Sequence, residues 1–309
     1  KNMIQRPFIK DTLKTTVLVI FGKAIGVTVP FFIAVWFGAT TTIDSFFLAY
    51  SIIIFLSGVF GTTMSRVIVP YIIELKKTGE DIGKFISSIL ILSCITYCIL
   101  LLGGTFLIKE ILRITTDYDA RGLEKISIFI LEMIPFVILL IWANTLDGFL
   151  NSLKYFTLPA LLPAVRSIII VGIIFLFKGR FAIQAIVFGY IGGELVRFLI
   201  LFLFIVKKRL ISFHFSISLS KNLMDLIKKG LYQIIAATLF GINPLVDKTM
   251  GSWEGAGSVS ILYYADRLYL IPVLFLVSGF LVTLLSYMSG NLYLENKIKF
   301  RRLIHKAIK

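Results

Sequence analysis

Apolar residues come in long blocks along this chain, separated by short polar stretches that hold most of the charge. A helical run of about 20 apolar residues spans the ~30 Å hydrocarbon core of a bilayer. Blocks of that kind fall at 15–37, 44–75, 84–108, 125–150, 157–178, 181–206, 227–250 and 258–289, which predicts eight transmembrane helices. A membrane barrel would instead alternate apolar and polar residues through segments of about ten. The pattern therefore predicts an all-α integral membrane protein, a polytopic helical bundle. Several blocks contain helix-breaking residues: Pro30, then Gly58, Gly61 and Pro70, then Pro135, then Gly192-Gly193. Neighbouring helices re-satisfy the backbone groups that such residues free, and interrupted helices in transporters often line the substrate path.

Composition agrees. Of the 309 residues 58% are hydrophobic and 28 are Phe, and the mean hydropathy is +0.93. The chain opens on Lys1 rather than Met, so its natural start is expected upstream. The first block is too long for a signal sequence and has no small-residue cleavage site. Cys94 and Cys98 share one helix face and read as packing residues, and His214 and His305 stand apart from any metal-ligand spacing.

Charge supplies the orientation. Twenty of the 32 Lys and Arg residues fall in one set of connections and six in the opposite set, and the remaining six lie within blocks. The basic side of a membrane protein is cytoplasmic, so both termini are expected in the cytoplasm, with the protein multi-pass in the cytoplasmic membrane. The net charge of +15 then reflects this bias and attraction to anionic membrane lipids, with no nucleic-acid partner. The longest cytoplasmic connection holds KNLMDLIKK, which suits either an amphipathic helix at the membrane surface or an ordinary solvated loop. It divides the chain into a six-helix lobe at 1–206, a linker at 207–226, and two further helices with a basic tail at 227–309.

The stretch 243–272 stands out because it places Asp247, Lys248, Asp266 and Arg267 around the Gly-rich turn GSWEGAG, between blocks long enough to cross a bilayer. An ionisable residue deep in a membrane helix costs at least ~2.5–3.5 kcal/mol by insertion scales, so it faces a partner or a watery cavity. Two helices meeting at a polar cavity is one reading, and two local ion pairs near the membrane surface is the other. The turn at Gly38 has a similar sequel, with Phe46-Phe47-Leu48-Ala49 set against Leu262-Tyr263-Tyr264-Ala265. Such a match suggests a parallel six-helix repeat.

These residues carry a resemblance. GSVSILYYADRLYLIP, GATTTIDSFFLAY, NSLKYFTLPALLPAV and NPLVDKTMGS resemble, in that order along the chain, segments of the MurJ/MviN lipid II flippase family, part of the MOP flippase superfamily. That family has fourteen helices in two six-helix lobes plus two. The resemblance implies a MOP-type lobe followed by the seventh and eighth helices, the remaining helices of a full-length chain lying beyond. It implies a transporter rather than an enzyme, whose partner is a lipid-linked oligosaccharide. It implies no cofactor beyond a coupling ion, Na+ or H+, or the membrane potential. The chain departs from the family's basic set, in which Ser-Arg stands where Gly22-Lys23 stand here, Arg-Asp where Val29-Pro30 stand, and paired arginines near Ser57 and Gly58. Only Lys23 and Arg267 remain of it.

By this resemblance the substrate-binding residues are Arg267, Lys23, Asp44, Asp266, Thr62 and Ser65, and Thr28 and Thr63 add hydroxyls. Arg267 offers a bidentate fork to a pyrophosphate and Lys23 a point charge. Asp44 either pairs with a cation in one state or caps a helix. Asp247 is the ion-coupling candidate. Lys248, Arg66, Arg166 and Glu132 are cavity candidates of lower rank, and both Arg66 and Arg166 are expected to snorkel to the cytoplasmic surface. Glu194 and Arg197, three apart on one face, read as a local structural pair. Three classes stay open. The first is a flippase for lipid II or for another lipid-linked polysaccharide unit of capsule, O-antigen or exopolysaccharide type. The second is a MATE-like ion-coupled exporter. The third is an enzyme acting on polyprenyl-linked sugars. The outer loop at 109–125 is short and offers only Glu110, Asp117, Asp119 and Glu124 as acid/base groups, which places the enzyme last.

Overall fold

The computed structural model describes residues 2–58, 68, 72, 75, 81–153, 155–211, 238, 239 and 241–272. The inner part of the linker and the tail beyond 272 lie outside the described residues, as do Thr62, Thr63, Ser65 and Arg66. Among the described residues nine α-helices follow in order: α1 Asn2–Phe37, α2 Thr41–Ser57, α3 Ile82–Thr115, α4 Ala120–Glu132, α5 Ile134–Ser152, α6 Thr157–Phe181, α7 Gln184–Lys207, α8 Asn243–Gly251 and α9 at 258–272. No strand occurs among the described residues. Among the described residues five helical segments are long and apolar enough to span a membrane: Val17–Phe37, Ile82–Thr105, Ile134–Ser152, Thr157–Phe181 and Gln184–Lys207. The described part of α2 is a shorter apolar helix.

Local sequence explains the helix starts. Thr40 accepts a hydrogen bond from the Ile43 amide, Asp81 from Lys84 and Asp119 from Gly122, so each N-caps the helix that follows it. The helices also outrun the predicted blocks. With 36 residues α1 is ~54 Å long, and polar turns extend α3 to 34 residues, well past the hydrocarbon core.

The predicted block 125–150 divides at Met133, whose φ of −90° and ψ of 3° leave the helical region. Pro135 is the cause, since it has no N–H for the carbonyl four residues earlier and its ring crowds that turn. Gly192-Gly193, in contrast, does not interrupt α7. A side chain at Gly193 would stand 2.6 Å from Ile170 Cγ1 and 2.9 Å from the Arg166 carbonyl. These glycines therefore bring α7 onto α6, the small-residue contact that membrane helices use in place of a hydrophobic drive.

Helix α6 also packs along α1, α5 packs against α7 and α3, and α2 packs against α4 and α8. Two apolar clusters fill the interior. One joins α2, α4 and the start of α5 to Ile170, Tyr190 and Tyr263. The other joins the far end of α5 to Phe85, Ile86, Leu162, Leu201 and Ile205. The turns at 38–40, 116–119, 182–183 and 251–257 gather at one end of the bundle, where Tyr264 donates to the Gly38 carbonyl at 3.0 Å and Lys125 to Thr42 Oγ1 at 3.3 Å.

Candidate functional site

Two polar centres emerge where the sequence placed scattered charges. The first lies where α9 begins. Asp44, in the first turn of α2, is 2% exposed and reaches across to α9. One carboxylate oxygen accepts the Gly257 amide at 2.5 Å, and the other accepts the Ser260 amide at 2.8 Å and the Ser260 hydroxyl. The N-cap role thus falls on α9 and not on Asp44's own helix, which Thr40 already caps. An anion there meets unpaired amides and the positive end of the α9 dipole. Gly257 is required by this geometry. Its φ is +90°, and an added Cβ would stand 3.0 Å from the Ala39 carbonyl. Nearby, burial pushes the phenol of Tyr118 above its ordinary pKa, and the Asp44 carboxylate adds to the effect.

One to two turns deeper, α8 and α9 meet. Lys248, 3% exposed, donates to Asp266 at 2.8 Å and to the Pro244 carbonyl at 3.3 Å. This is a pair between helices, so the reading of two pairs local to each helix does not hold. The adjacent Arg267 has no carboxylate within ion-pair distance among the described residues and lies over the ring of Tyr263, 4.8 Å from its centroid. That i,i+4 placement is a cation–π contact. Tyr263 in turn stacks on Phe47 at 4.0 Å and meets Tyr50 edge-on at 6.1 Å, and Tyr50 lies 4.8 Å from Tyr190. Three tyrosines from α2, α7 and α9 thus form one cluster beneath the Asp44 cap.

The second centre is buried among α5, α6 and α7. Arg197 donates to Glu194 at 2.6 Å, to Asn144 at 2.9 Å and to Asp147. Arg166 donates to the other oxygen of Glu194 at 3.0 Å. Glu194 and Arg197 do pair locally, but within a four-charge network joining three helices. Arg166 is therefore not a snorkelling residue, because a fully buried carboxylate holds it inside.

Other candidates are less engaged. Asp247 is exposed and makes no ion pair among the described residues. Thr28 donates to the Ile25 carbonyl of its own helix at 2.7 Å. Glu132 is half-buried beside the Met133 break, and its Oε2 has no hydrogen-bond partner among the described residues. Lys23 lies on α1 between Gly22 and Gly26, which bring that helix against Ala160 and Ser167 of α6. Among the described residues no group of His, Cys, Asp and Glu is arranged to hold a metal.

Sequence reasoning missed the tyrosine cluster and the Lys248–Asp266 pair. A signal existed for part of it, since Tyr263, Asp266 and Arg267 recur at spacings of three and four, the helical repeat of one face.

This all-α architecture is the fold of solved MOP-superfamily transporters. An outward-facing multidrug-resistance MATE transporter of that superfamily superposes with a TM-score of 0.71 at 16% identity, over 97% of this chain and 68% of that one. A lipid II flippase MurJ in an inward closed conformation superposes with a TM-score of 0.77 at 24% identity, over 95% of this chain and 61% of that one. The family profile described as lipid II flippase MurJ matches residues 33–309, and the chain belongs to that family. Its relatives include the probable lipid II flippase MurJ of Buchnera aphidicola from Acyrthosiphon pisum, 26% identical over 96% of this chain and 60% of that protein. Another is the Rickettsia prowazekii protein of the same description, 28% identical over 91% of this chain and 56% of that protein. The chain thus spans roughly three fifths of the length of such relatives.

Proposed function

We propose that the chain forms the first lobe and the opening helices of the second lobe of a flippase. The flippase moves an undecaprenyl-pyrophosphate-linked sugar, of lipid II type, across the bacterial cytoplasmic membrane by alternating access. The observation that carries this reading is Arg267. Its guanidinium has no carboxylate partner among the described residues and is steadied by Tyr263 at the seam of α2 and α9, while Lys248 occupies the neighbouring Asp266. A guanidinium in a protein interior with no carboxylate partner among the described residues suits a phosphate group, which it grips through two parallel N–H donors.

The work asked of the protein is physical rather than covalent. A sugar-pyrophosphate head must cross a core in which every unpaired polar group is expensive. Arg267 holds the pyrophosphate, with Lys23, Thr62 and Ser65 as further contacts from the first lobe. The Asp44 cap shuts the end of the bundle at the 251–257 turn and has to release for that end to open. Asp247, exposed and without an ion pair among the described residues, is the place for a coupling cation, with the membrane potential as the other drive. A flippase for another polyprenyl-linked polysaccharide unit would use the same device, and the thin set of family cations favours keeping it in view.

Two measurements test the proposal. In a strain depleted of its lipid II flippase, Arg267→Lys and Arg267→Ala should both abolish complementation by the full chain while its membrane level stays normal. A structural arginine would show lost protein for Ala and near-normal function for Lys, and full complementation by Ala would remove Arg267 from the site. The topology that follows from the basic residues puts the 251–257 turn outside and the 207–229 connection inside. A single cysteine in the turn should react with an impermeant reagent added to whole cells, and one in the connection should not. The reverse pattern would invert the proposed orientation.

A further inference from the structure

The four charges of the buried network are not equally engaged. Arg197 reaches Glu194, Asn144 and Asp147, and its side chain is only 7% exposed. Glu194, with none of its side chain exposed, gives one oxygen to each arginine. Arg166 gives Glu194 only Nη1, its Nε is buried without a hydrogen-bond partner, and a quarter of its side chain is open. A guanidinium carries five N–H donors in a planar fork, so Arg166 is the under-used end of the network. Its charge is also under-balanced, because Glu194 is shared between two cations and, among the described residues, Asp147 pairs only with Arg197.

The surroundings of Arg166 link it to the first polar centre. The Tyr50 and Tyr190 phenols lie within electrostatic reach of both Arg166 and Arg267. Tyr50 bridges in the other direction to Tyr263, over whose ring Arg267 lies. Two guanidiniums, one on α6 and one on α9, therefore flank a single tyrosine cluster. Helix α1 joins them from the side, since Gly22 and Gly26 seat it on α6 at Ala160 and Ser167, within two turns of Arg166.

We propose that Arg166 is a second anion-contacting residue of the translocation path, with Glu194 as its positioning residue, so that a lipid diphosphate is held between α6 and α9. This rests on the flippase reading above. Two separated guanidiniums suit a ligand with two anionic groups better than one with a single group. Glu194 fixes one edge of the Arg166 fork and leaves the rest for the ligand. Arg197, Asn144 and Asp147 hold Glu194 in turn.

The test is binding by the purified full chain in nanodiscs, with undecaprenyl pyrophosphate, undecaprenyl phosphate and inorganic pyrophosphate as probes and phosphatidylglycerol as competitor. The wild type should prefer the lipid diphosphate to the lipid monophosphate, with weak competition from the other two. Arg166→Gln should lower the diphosphate affinity about tenfold or more, the loss expected for one charge-assisted hydrogen bond, and shrink the preference over monophosphate. Glu194→Gln should shrink that preference in the same direction. A merely structural Arg166 would weaken both lipids in proportion, and an unchanged ratio overturns the proposal. Should Arg166→Gln fail to purify, Arg166→Lys carries the measurement, with a reduced ratio in support and a wild-type ratio against. Equal binding of inorganic pyrophosphate, or displacement by phosphatidylglycerol, would overturn the assignment to a lipid diphosphate. A wild type that binds no undecaprenyl pyrophosphate would sink the flippase reading itself, whereas wild-type binding with an unchanged ratio in the variants sinks only the role of Arg166.

Discussion

Arg197→Met should cost the folded protein about 3–5 kcal/mol and leave little of it in the membrane. Breaking a buried ion pair by removing one partner leaves the other charge uncompensated, and that is the usual magnitude. Here the loss strands the Asp147 carboxylate and the Asn144 amide together and leaves fully buried Glu194 with a single cation. At about 2 °C per kcal/mol for a chain of this length, thermal unfolding in detergent should move down by roughly 6–10 °C. The double variant Arg197→Met, Asp147→Leu keeps the Arg166–Glu194 pair and restores neutrality, so it should recover part of the loss. A single variant that unfolds with the wild type would mean that α5, α6 and α7 are held by apolar packing alone.

Asp44→Asn should abolish complementation while the protein still reaches the membrane. The asparagine keeps the shape of the side chain, but its amide nitrogen cannot accept the Gly257 N–H that a carboxylate oxygen now takes. A buried amide left without a partner costs about 1–3 kcal/mol, and the charge that favours the α9 N-terminus goes as well. The outer closure should therefore open more often. A single cysteine at Ser258, labelled from outside by an impermeant reagent, should react faster in the Asp44→Asn background. Gly257→Ala should act in the same direction, because alanine is strained at φ +90° and meets the Ala39 carbonyl. Full complementation by Asp44→Asn, with labelling unchanged, would show that the cap does not gate the path.

Some of this was legible from residues alone. The blocks of apolar residues predicted the membrane helices, because a bilayer imposes a length that a composition window detects. Glu194 and Arg197 read as a pair because helical neighbours three apart meet within one segment. Arg166 was misplaced because its partner is on another helix, and a snorkelling lysine-like end was the only local alternative. Asp44 read equally as a cation partner or as a helix cap, since its acceptor role is satisfied 213 residues away at Gly257.

The sequence by itself determined the class of the protein, the five membrane-length spans among the described residues, the likeness to one flippase family and the chemical types proposed for the site. Each of these depends on hydrophobicity, charge or spacing within a single segment. Tertiary structure alone decided which charges are engaged. It joined Lys248 to Asp266, left Arg267 over Tyr263, set Asp44 on the N-terminus of α9 and gathered Arg166, Glu194, Arg197 and Asp147 into one network. The physical reason is the bilayer itself. Once backbone hydrogen bonds are satisfied within each helix, the remaining polar groups find partners only on other helices, and helix packing, which no single segment encodes, chooses those partners.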